Sequence, residues 1–337
     1  MASNQEPKVS ICTPIYGVEK YIERCARSLF EQTYTNIEYI FVNDCTKDNS
    51  IDILLKTIQS YPSRKSQIRI INHDKNCGLG CARNTAIAAA TGDFIMHVDS
   101  DDYIERITIE ECVKKQIETE ADIVSCNALK HRTDFTEKMQ HTEHLSPKEY
   151  CLNVLQRNAH VCIWGRLIRT ALYKNNNIHV EPGINMGEDY QVIGKLFFYS
   201  HKTAIVNNFL YHYDCTNIGS YSNLYSKSKQ QQSWRSFDIV KIFFENKGEE
   251  FTEATSIGEL KIIISHFIIS GKIPDGKYYY IEARRRLKDL DNNIRKKESI
   301  AKRLVLFFSF NYQIMKVYTR FSGSINIAIK KNKKQLL

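Results

Sequence analysis

Three carboxylates stand in the four-residue stretch Asp99-Ser100-Asp101-Asp102, directly after the apolar run Phe94-Ile95-Met96-His97-Val98. Acids this close repel one another unless a cation or a proton offsets their charge. Their hard oxygens suit Mg²⁺ or Mn²⁺, ions that complete their shells with water and phosphate oxygens. A solvated acidic turn capping a helix would read the same way, so neighbouring residues must decide. Upstream, Asn76-Cys77-Gly78-Leu79-Gly80-Cys81-Ala82-Arg83-Asn84 supplies a glycine-rich entry and an arginine able to pair with phosphate. Cys77 and Cys81 lie one helical turn apart, which opens a redox pair as one reading. Far downstream, Asn185-Met186-Gly187-Glu188-Asp189-Tyr190 carries a second acid pair. By residue type alone it reads as two acids resting on a helix dipole.

The elements that must position these groups are legible from periodicity. Val9–Thr13 reads as a strand that Pro14 ends, and Ile22, Cys25, Ala26 and Leu29 mark a helix face. Ile37–Val42 is a second strand, and its turn, residues 43–50, leads to a helix with Ile51, Leu54, Leu55 and Ile58 on its apolar face. Ile68–Ile71, Phe94–Val98 and Ile123–Cys126 are further strands. Between the last two glycine-rich signals, residues 82–91 form an alanine-rich helix that Gly92 is expected to close as a left-handed cap. Strands alternating with helices imply parallel βαβ units in three layers. The loops after strands one, two and four then meet at one sheet edge, where open α/β sheets bind ligands. They bring Tyr16 with Glu19, Asp44, and Asp99 with Asp101. An aromatic ring, base-binding carboxylates, an arginine and a metal site are what a nucleotide needs.

On these residues the chain resembles the family 2 glycosyltransferases with the GT-A fold. The matching pattern is Pro14-x-Tyr16 with Glu19 and Tyr21-Ile22, Ser28-Leu29 with Gln32-Thr33, Val42-Asn43-Asp44 with Asp48 and Ser50, Asn76-x-Gly78 with Ala82-Arg83-Asn84, Ala90-x-Gly92 and Asp99-x-Asp101-Asp102. The resemblance implies a GT-A-like α/β three-layer sandwich with a mostly parallel central sheet, followed by a mainly helical C-terminal lobe. Residues 1–220 would form the catalytic domain, with a nucleotide-sugar half at 8–102 and an acceptor half at 103–220, and residues 221–337 the basic helical region. Thr13, Pro14, Tyr16, Glu19, Asp44, Arg83, Asp99, Ser100 and Asp101 would bind a UDP-sugar donor, with Arg83 facing the nucleotide or its diphosphate. Asp101 and Asp99 would hold Mn²⁺ or Mg²⁺, within reach of His212. Trp164, in Trp164-Gly165-Arg166-Leu167-Ile168-Arg169, would touch the acceptor, and Asp189, in preference to Glu188, would be the base. The implied activity is inverting transfer of a hexose or N-acetylhexosamine to a glycan or lipid-linked oligosaccharide. Two positions depart from the pattern. The usual Asp-Asp-Gly-Ser turn reads Asn43-Asp44-Cys45-Thr46, and Asp214 stands where arginine is common in a loop, Tyr211 to Ser220, that closes over the diphosphate.

Composition narrows the alternatives. The 337 residues are 42% hydrophobic and 25% charged, ordinary for a globular protein. No run approaches the ~20 apolar residues of a membrane span, and a cytosolic location is expected. The 10 cysteines contain no Cys-x-x-Cys pair, so neither a zinc site nor a disulfide framework is expected, and most of them are expected to be small core residues in a reducing compartment. Net charge is +9, but residues 284–337 hold 15 Lys/Arg against 3 Asp/Glu, which leaves 9 − 12 = −3 for the rest. That tail, with Tyr278-Tyr279-Tyr280, Arg284-Arg285-Arg286, the apolar run from Leu304 to Phe310 and Lys330-Lys331-Asn332-Lys333-Lys334, reads either as an anionic-membrane contact or as a packed lobe with a solvated end. Nucleic acid is not an expected partner, since only the tail could supply the affinity. A dinucleotide-dependent oxidoreductase fails because its glycine fingerprint belongs after the first strand and its third glycine would fall on Arg83. A nucleotidyltransferase shares the nucleotide and metal needs but leaves Trp164, Glu188 and Asp189 without a role.

Overall fold

The computed structural model describes residues 6–142, 145–217, 226–273, 276–291, 293–294, 306, 309–317 and 319. These fall into two compact units, one within Met1–Val154 and Ala159–Leu224, the other within Leu155–Asn158 and Tyr225–Leu337.

The first unit begins with β1 (Val9–Ile15), α1 (Ile22–Phe30), β2 (Ile37–Asn43), α2 (Ser50–Gln59), a 3-10 turn (Pro62–Gln67) and β3 (Ile68–Asn72). It continues with α3 (Leu79–Ala89), β4 (Phe94–His97), β5 (Tyr103–Ile104), α4 (Thr108–Thr119), β6 (Ile123–His131) and β7 (Thr136–Met139). After α5 (Pro147–Leu155) come β8 (Arg166–Arg169), α6 (Thr170–Asn175), α7 (Glu188–Tyr199) and β9 (Thr203–Asp214). The strands form one sheet in the order β3-β2-β1-β4-β8-β6-β9-β5, with β7 on β6. The run β3-β2-β1-β4 is parallel, and β8 beyond it is antiparallel to both β4 and β6. Ile22, Cys25, Ala26 and Leu29 of α1, Leu54 and Ile58 of α2, and Ile109 and Cys112 of α4 pack with Ile11, Tyr39, Phe41, Met96 and Val124 in one buried cluster. α3 packs against β1 and β2, and the parallel run leads the loops after β1, β2 and β4 to one edge.

Three local expectations are corrected. Pro14 does not end β1, which runs on to Ile15. β4 pairs only with Val9 to Cys12, so one side of β1 is open beyond Cys12 and a missing N–H costs no ladder bond there. Gly92 is not a left-handed cap, because Ala90 closes α3 in an extended conformation and Gly92 is not among the positive-φ glycines. Its hydrogen is needed for another reason: a Cβ would lie 2.7 Å from the Lys8 carbonyl and 2.8 Å from the Ser10 nitrogen. Leu55 is 46% exposed, and the buried face of α2 runs through Ser50, Leu54, Thr57 and Ile58.

The second unit contains α8 (Lys227–Phe244), α9 (Glu249–Lys272) and α10 (Lys277–Asp289). Ser226 starts α8 with its side chain accepting the Lys229 N–H. Arg286 of α10 is tied to Asp238 at 2.6 Å and Glu259 at 3.2 Å, and its guanidinium stacks over Trp234 at 4.1 Å. Tyr279 is buried edge-on against His266. Two of the aromatic and basic residues that suggested a membrane face therefore hold the helices together instead. No helix among the described residues is long and apolar enough to cross a membrane. Most of the run from Leu304 to Phe310, and all of Lys330 to Lys334, lie outside the described residues.

Candidate active site

A cavity of about 360 Å³ opens at the sheet edge where the loops after β1, β2 and β4 converge. Its wall includes Pro14 at the end of β1 and Tyr16 just after it, Asp44 from the second loop, Asn76, Gly78 and Ala82 around the start of α3, and Asp99, Ser100 and Asp101 from the fourth. Tyr16 is 52% exposed, which leaves its ring open to stacking. Thr13 and Glu19 do not line the cavity. Thr13 is buried beneath it, and the Glu19 carboxylate accepts from the Asn49 backbone and side-chain amides at 3.2 and 3.1 Å. Glu19 thus fixes the entry to α2.

Asp44 is a buried hub. It accepts from the Cys77 N–H at 2.8 Å and the Gly78 N–H at 2.7 Å, and His73 Nδ1 lies 2.8 Å from its Oδ1. A carboxylate only accepts, so Nδ1 is the protonated nitrogen of His73. Asp44 therefore clamps the turn that opens α3. Gly78, at φ 90°, is required there twice over, since a Cβ would also meet the Asn185 side chain at 2.2 Å. Asn185 in turn accepts the Gly80 N–H at 3.3 Å. The two glycines admit the chain segment leading into α7, which accounts for Gly78-x-Gly80 without a dinucleotide.

The three acids after β4 have three different fates. Asp99 Oδ1 lies 3.0 Å from Arg83 Nη1. Asp102 is fully buried, accepting from the Tyr211 hydroxyl at 2.7 Å and the Asp214 N–H at 2.8 Å. Burial, and then the charges of Asp101 and Asp99, push the Asp102 carboxyl well above its usual range, which favours its neutral form. Asp101 remains on the cavity wall with the Asn217 amide donating to it at 2.9 Å. Its proton affinity is raised by burial and by Asp99. Asp99 and Asp101 thus present hard oxygens to the cavity, a donor set that fits Mg²⁺ or Mn²⁺.

Arg83, expected to face the diphosphate, is only 2% exposed and does not line the cavity. Its guanidinium sits among Asp99, Asp189 at 3.5 Å and Glu188 at 3.8 Å. A buried cation needs such partners, and burial, which disfavours its charge, is outweighed by the three carboxylates. Glu188 and Asp189 occupy the first turn of α7, after Gly187 in the left-handed conformation. Asp189 accepts from the Ile163 N–H at 3.3 Å. Both acids are pushed above the usual carboxylate range, chiefly by burial, and Arg83 opposes the shift in each. Their side chains keep 12% and 17% of their surface exposed. A carboxylate of raised proton affinity is a better general base near neutral pH.

Two expected site residues do not line the cavity. Trp164 is a core residue, 7% exposed and stacked on Tyr211 at 4.3 Å, so its ring supports the hydroxyl that joins Asp102 to the Asp99 N–H instead of offering an open platform. His212 is not on the wall that Asp99 and Asp101 share, and its ring is engaged elsewhere, Nδ1 lying 2.8 Å from His131 Nε2 and Nε2 2.8 Å from Glu105. The presumed closing loop is, up to Asp214, the end of β9, and Asp214 is held by Arg24 at 2.7 Å; the stretch through Ser220 lies partly outside the described residues. Asn76, Asn185, Asn217, Asp102 and Tyr211 stand within the motif stretches, but periodicity and motif gave none of them a role of its own. Neutral amides carry no spacing signal, although Asn185 stands three residues before Glu188.

A family model for glycosyl transferase family 2 matches residues 10–175. Two Bacillus subtilis proteins with glycosyltransferase names are similar to the chain: EpsH is 30% identical over 73% of this chain and 72% of its own length, and EpsJ is 33% identical over 61% of each. The chain belongs to glycosyl transferase family 2. It spans less than two thirds of EpsJ. Among solved structures, residues 1–349 of Staphylococcus aureus TarS, crystallised in complex with UDP-GlcNAc, align with a TM-score of 0.71, 18% identity, and coverage of 93% of this chain and 89% of that one. At that identity the likeness concerns the fold, a mixed α/β core with a curled central sheet and a helical C-terminal region.

Proposed function

We propose that the protein transfers a sugar, a hexose or N-acetylhexosamine, from a UDP-sugar to a hydroxyl of a glycan or lipid-linked acceptor, with inversion at the anomeric carbon. The observation that carries this reading is the single guanidinium of Arg83 shared by Asp99, at the donor cavity, and by Asp189 and Glu188. The TarS complex with UDP-GlcNAc, on a similar fold, supports a uridine nucleotide as donor.

In this reading the uracil ring stacks on Tyr16, Asp44 holds the base edge with its remaining acceptor capacity, and Asp99 faces the ribose or the donor sugar. Asp189 accepts the acceptor's hydroxyl proton as the oxygen attacks the anomeric carbon from the face opposite the diphosphate. One C–O bond forms while the bond to the diphosphate breaks, and UDP departs with the electron pair. Arg83 keeps Asp189 and Glu188 from sharing their full mutual repulsion and holds them in place beside Asp99. Asp101 and Asp99 would hold Mg²⁺ or Mn²⁺, which when bound would offset charge on the leaving diphosphate. The basic tail, a surplus of 12 positive charges from Arg284 onward, supports an acceptor at an anionic membrane surface.

The test is a panel of nucleotide sugars assayed for hydrolysis with Mg²⁺ or Mn²⁺, repeated with Asp101→Ala. One UDP-sugar turned over by the wild type and not by the variant is the expected result. No turnover of any donor, or full turnover by the variant, would overturn it.

A further inference from the structure

Among the described residues, one group of side chains outside the donor cavity has the make-up of a metal site: His73, Cys77 and Cys81, whose ligand atoms all lie within 4.8 Å of one another. The geometry points to a dedicated site for a thiophilic divalent cation of the Zn²⁺ class, built from these three residues on the outer side of Asp44.

Donor chemistry separates this group from the acids. Two thiols and an imidazole are the ligands that zinc prefers, whereas Asp99 and Asp101 offer only hard oxygens. Zinc bonds of about 2.3 Å to sulfur and about 2.0 Å to nitrogen place tetrahedral ligand atoms roughly 3.6–3.8 Å apart. The present spread, at most 4.8 Å, closes to that with side-chain rotations of about 1 Å. The chain path favours it too. Cys81 lies in the first turn of α3 and Thr85 one turn further on the same face, while Cys77 stands just before the helix, ahead of its cap Gly78.

The histidine is prepared in the way metal sites require. Its Nδ1 is committed to Asp44 at 2.8 Å, and Nε2 faces Thr85 Oγ1 at 2.9 Å on the same helix face. A carboxylate that fixes the protonated nitrogen leaves the other as an oriented ligand, the arrangement that raises imidazole basicity toward zinc. Binding exchanges the Thr85 hydroxyl contact, and the Cys77 thiol's donation to the Lys75 carbonyl at 3.3 Å, for bonds to the metal. Cys77 and Cys81 are both partly exposed, so an ion can reach them. A cation bound there would tie His73, Cys77 and the start of α3 together behind Asp44, and so stiffen that wall of the cavity. The site does not depend on the donor reading.

The experiment uses the reduced, chelator-stripped full chain titrated with Co²⁺. The expected result is saturation at one equivalent with thiolate-to-cobalt charge-transfer absorption and tetrahedral d–d bands, displaced by Zn²⁺. The bands disappear in Cys77→Ser/Cys81→Ser and persist in Cys215→Ser. Should the double variant fail to fold, Cys81→Ala alone is expected to halve the charge-transfer intensity, because that intensity follows the number of thiolates. Zn²⁺ should also raise the thermal midpoint of the wild type and leave that of the double variant unmoved. Absent bands in the wild type, bands undiminished in these variants, or equal midpoint shifts in wild type and double variant would each overturn the assignment.

Discussion

Arg83 Nη1 lies 3.0 Å from Asp99 Oδ1 while Nη2 of the same guanidinium lies 3.5 Å from Asp189 Oδ1. A residue at the start of α3 thereby joins the acids after β4 to those that open α7. Nη2 also donates to Asp99 Oδ2 at 3.4 Å, whereas Arg83 Nη1, Asp99 Oδ1 and Asp189 Oδ1 lack aligned hydrogen bonds and act on one another through charge.

Removing that charge should be costly in a pH-dependent way. Arg83→Met leaves Asp99, Glu188 and Asp189 without their cation, and unpairing a buried charge typically costs about 3–5 kcal/mol. The acids can answer by taking up protons, which raises their folded-state pKa further. A carboxyl with a raised folded pKa binds protons that the unfolded chain has released, so stability falls as pH rises through that window. The thermal midpoint of Arg83→Met should therefore trail the wild type more at pH 9 than at pH 5.5. Equal deficits at the two pH values would contradict the charge network.

Asp189→Asn should lower turnover of the donor about 10²- to 10⁴-fold while nucleotide affinity stays near the wild-type value. A base must be deprotonated to act, so the wild-type rate should climb with pH through its pKa. Burial lifts both Asp189 and Glu188, which puts this acid limb above the ordinary carboxylate range. A pH–rate profile of wild type, Asp189→Asn and Glu188→Gln assigns the limb. An unchanged limb in Asp189→Asn would move the base elsewhere.

Gly78→Ala should destabilise the protein by about 1–3 kcal/mol through its positive φ, and by more through the clash with Asn185. Pairing it with Asn185→Ala relieves the clash but not the backbone strain. Denaturant midpoints of the two variants and the double mutant should therefore show partial recovery only, with uridine nucleotide affinity recovering less than stability.

Trp164→Ala should cost about 3–5 kcal/mol of stability, as expected for a buried ring. Tyr211→Phe removes the hydroxyl shared by Asp102 and the Asp99 N–H and should cost about 1–3 kcal/mol. Unfolding midpoints measure both. A Trp164→Ala protein as stable as wild type would restore the ring to the role of an open acceptor platform.

The strands and helices of residues 8–102 were legible because apolar runs, helical spacing and turn residues are local signals, and Tyr16, Asp44, Asp99 and Asp101 fall where β1, β2 and β4 deliver them. Pro14 and Gly92 were misread locally for one reason: the partner that decides each is another strand, β4 for the first and β1 for the second. Glu188 and Asp189 could be flagged as a pair from residue types alone. That they share a cation with Asp99, that Trp164 lies beneath Tyr211, and that both nitrogens of His212 are already engaged depended on packing between distant segments. The sequence by itself determined which residues are available and which sheet edge presents them, because those follow from short-range periodicity. Only the tertiary structure decided which charge neutralises which, because that depends on distances of a few ångströms across chain separations that no local pattern encodes.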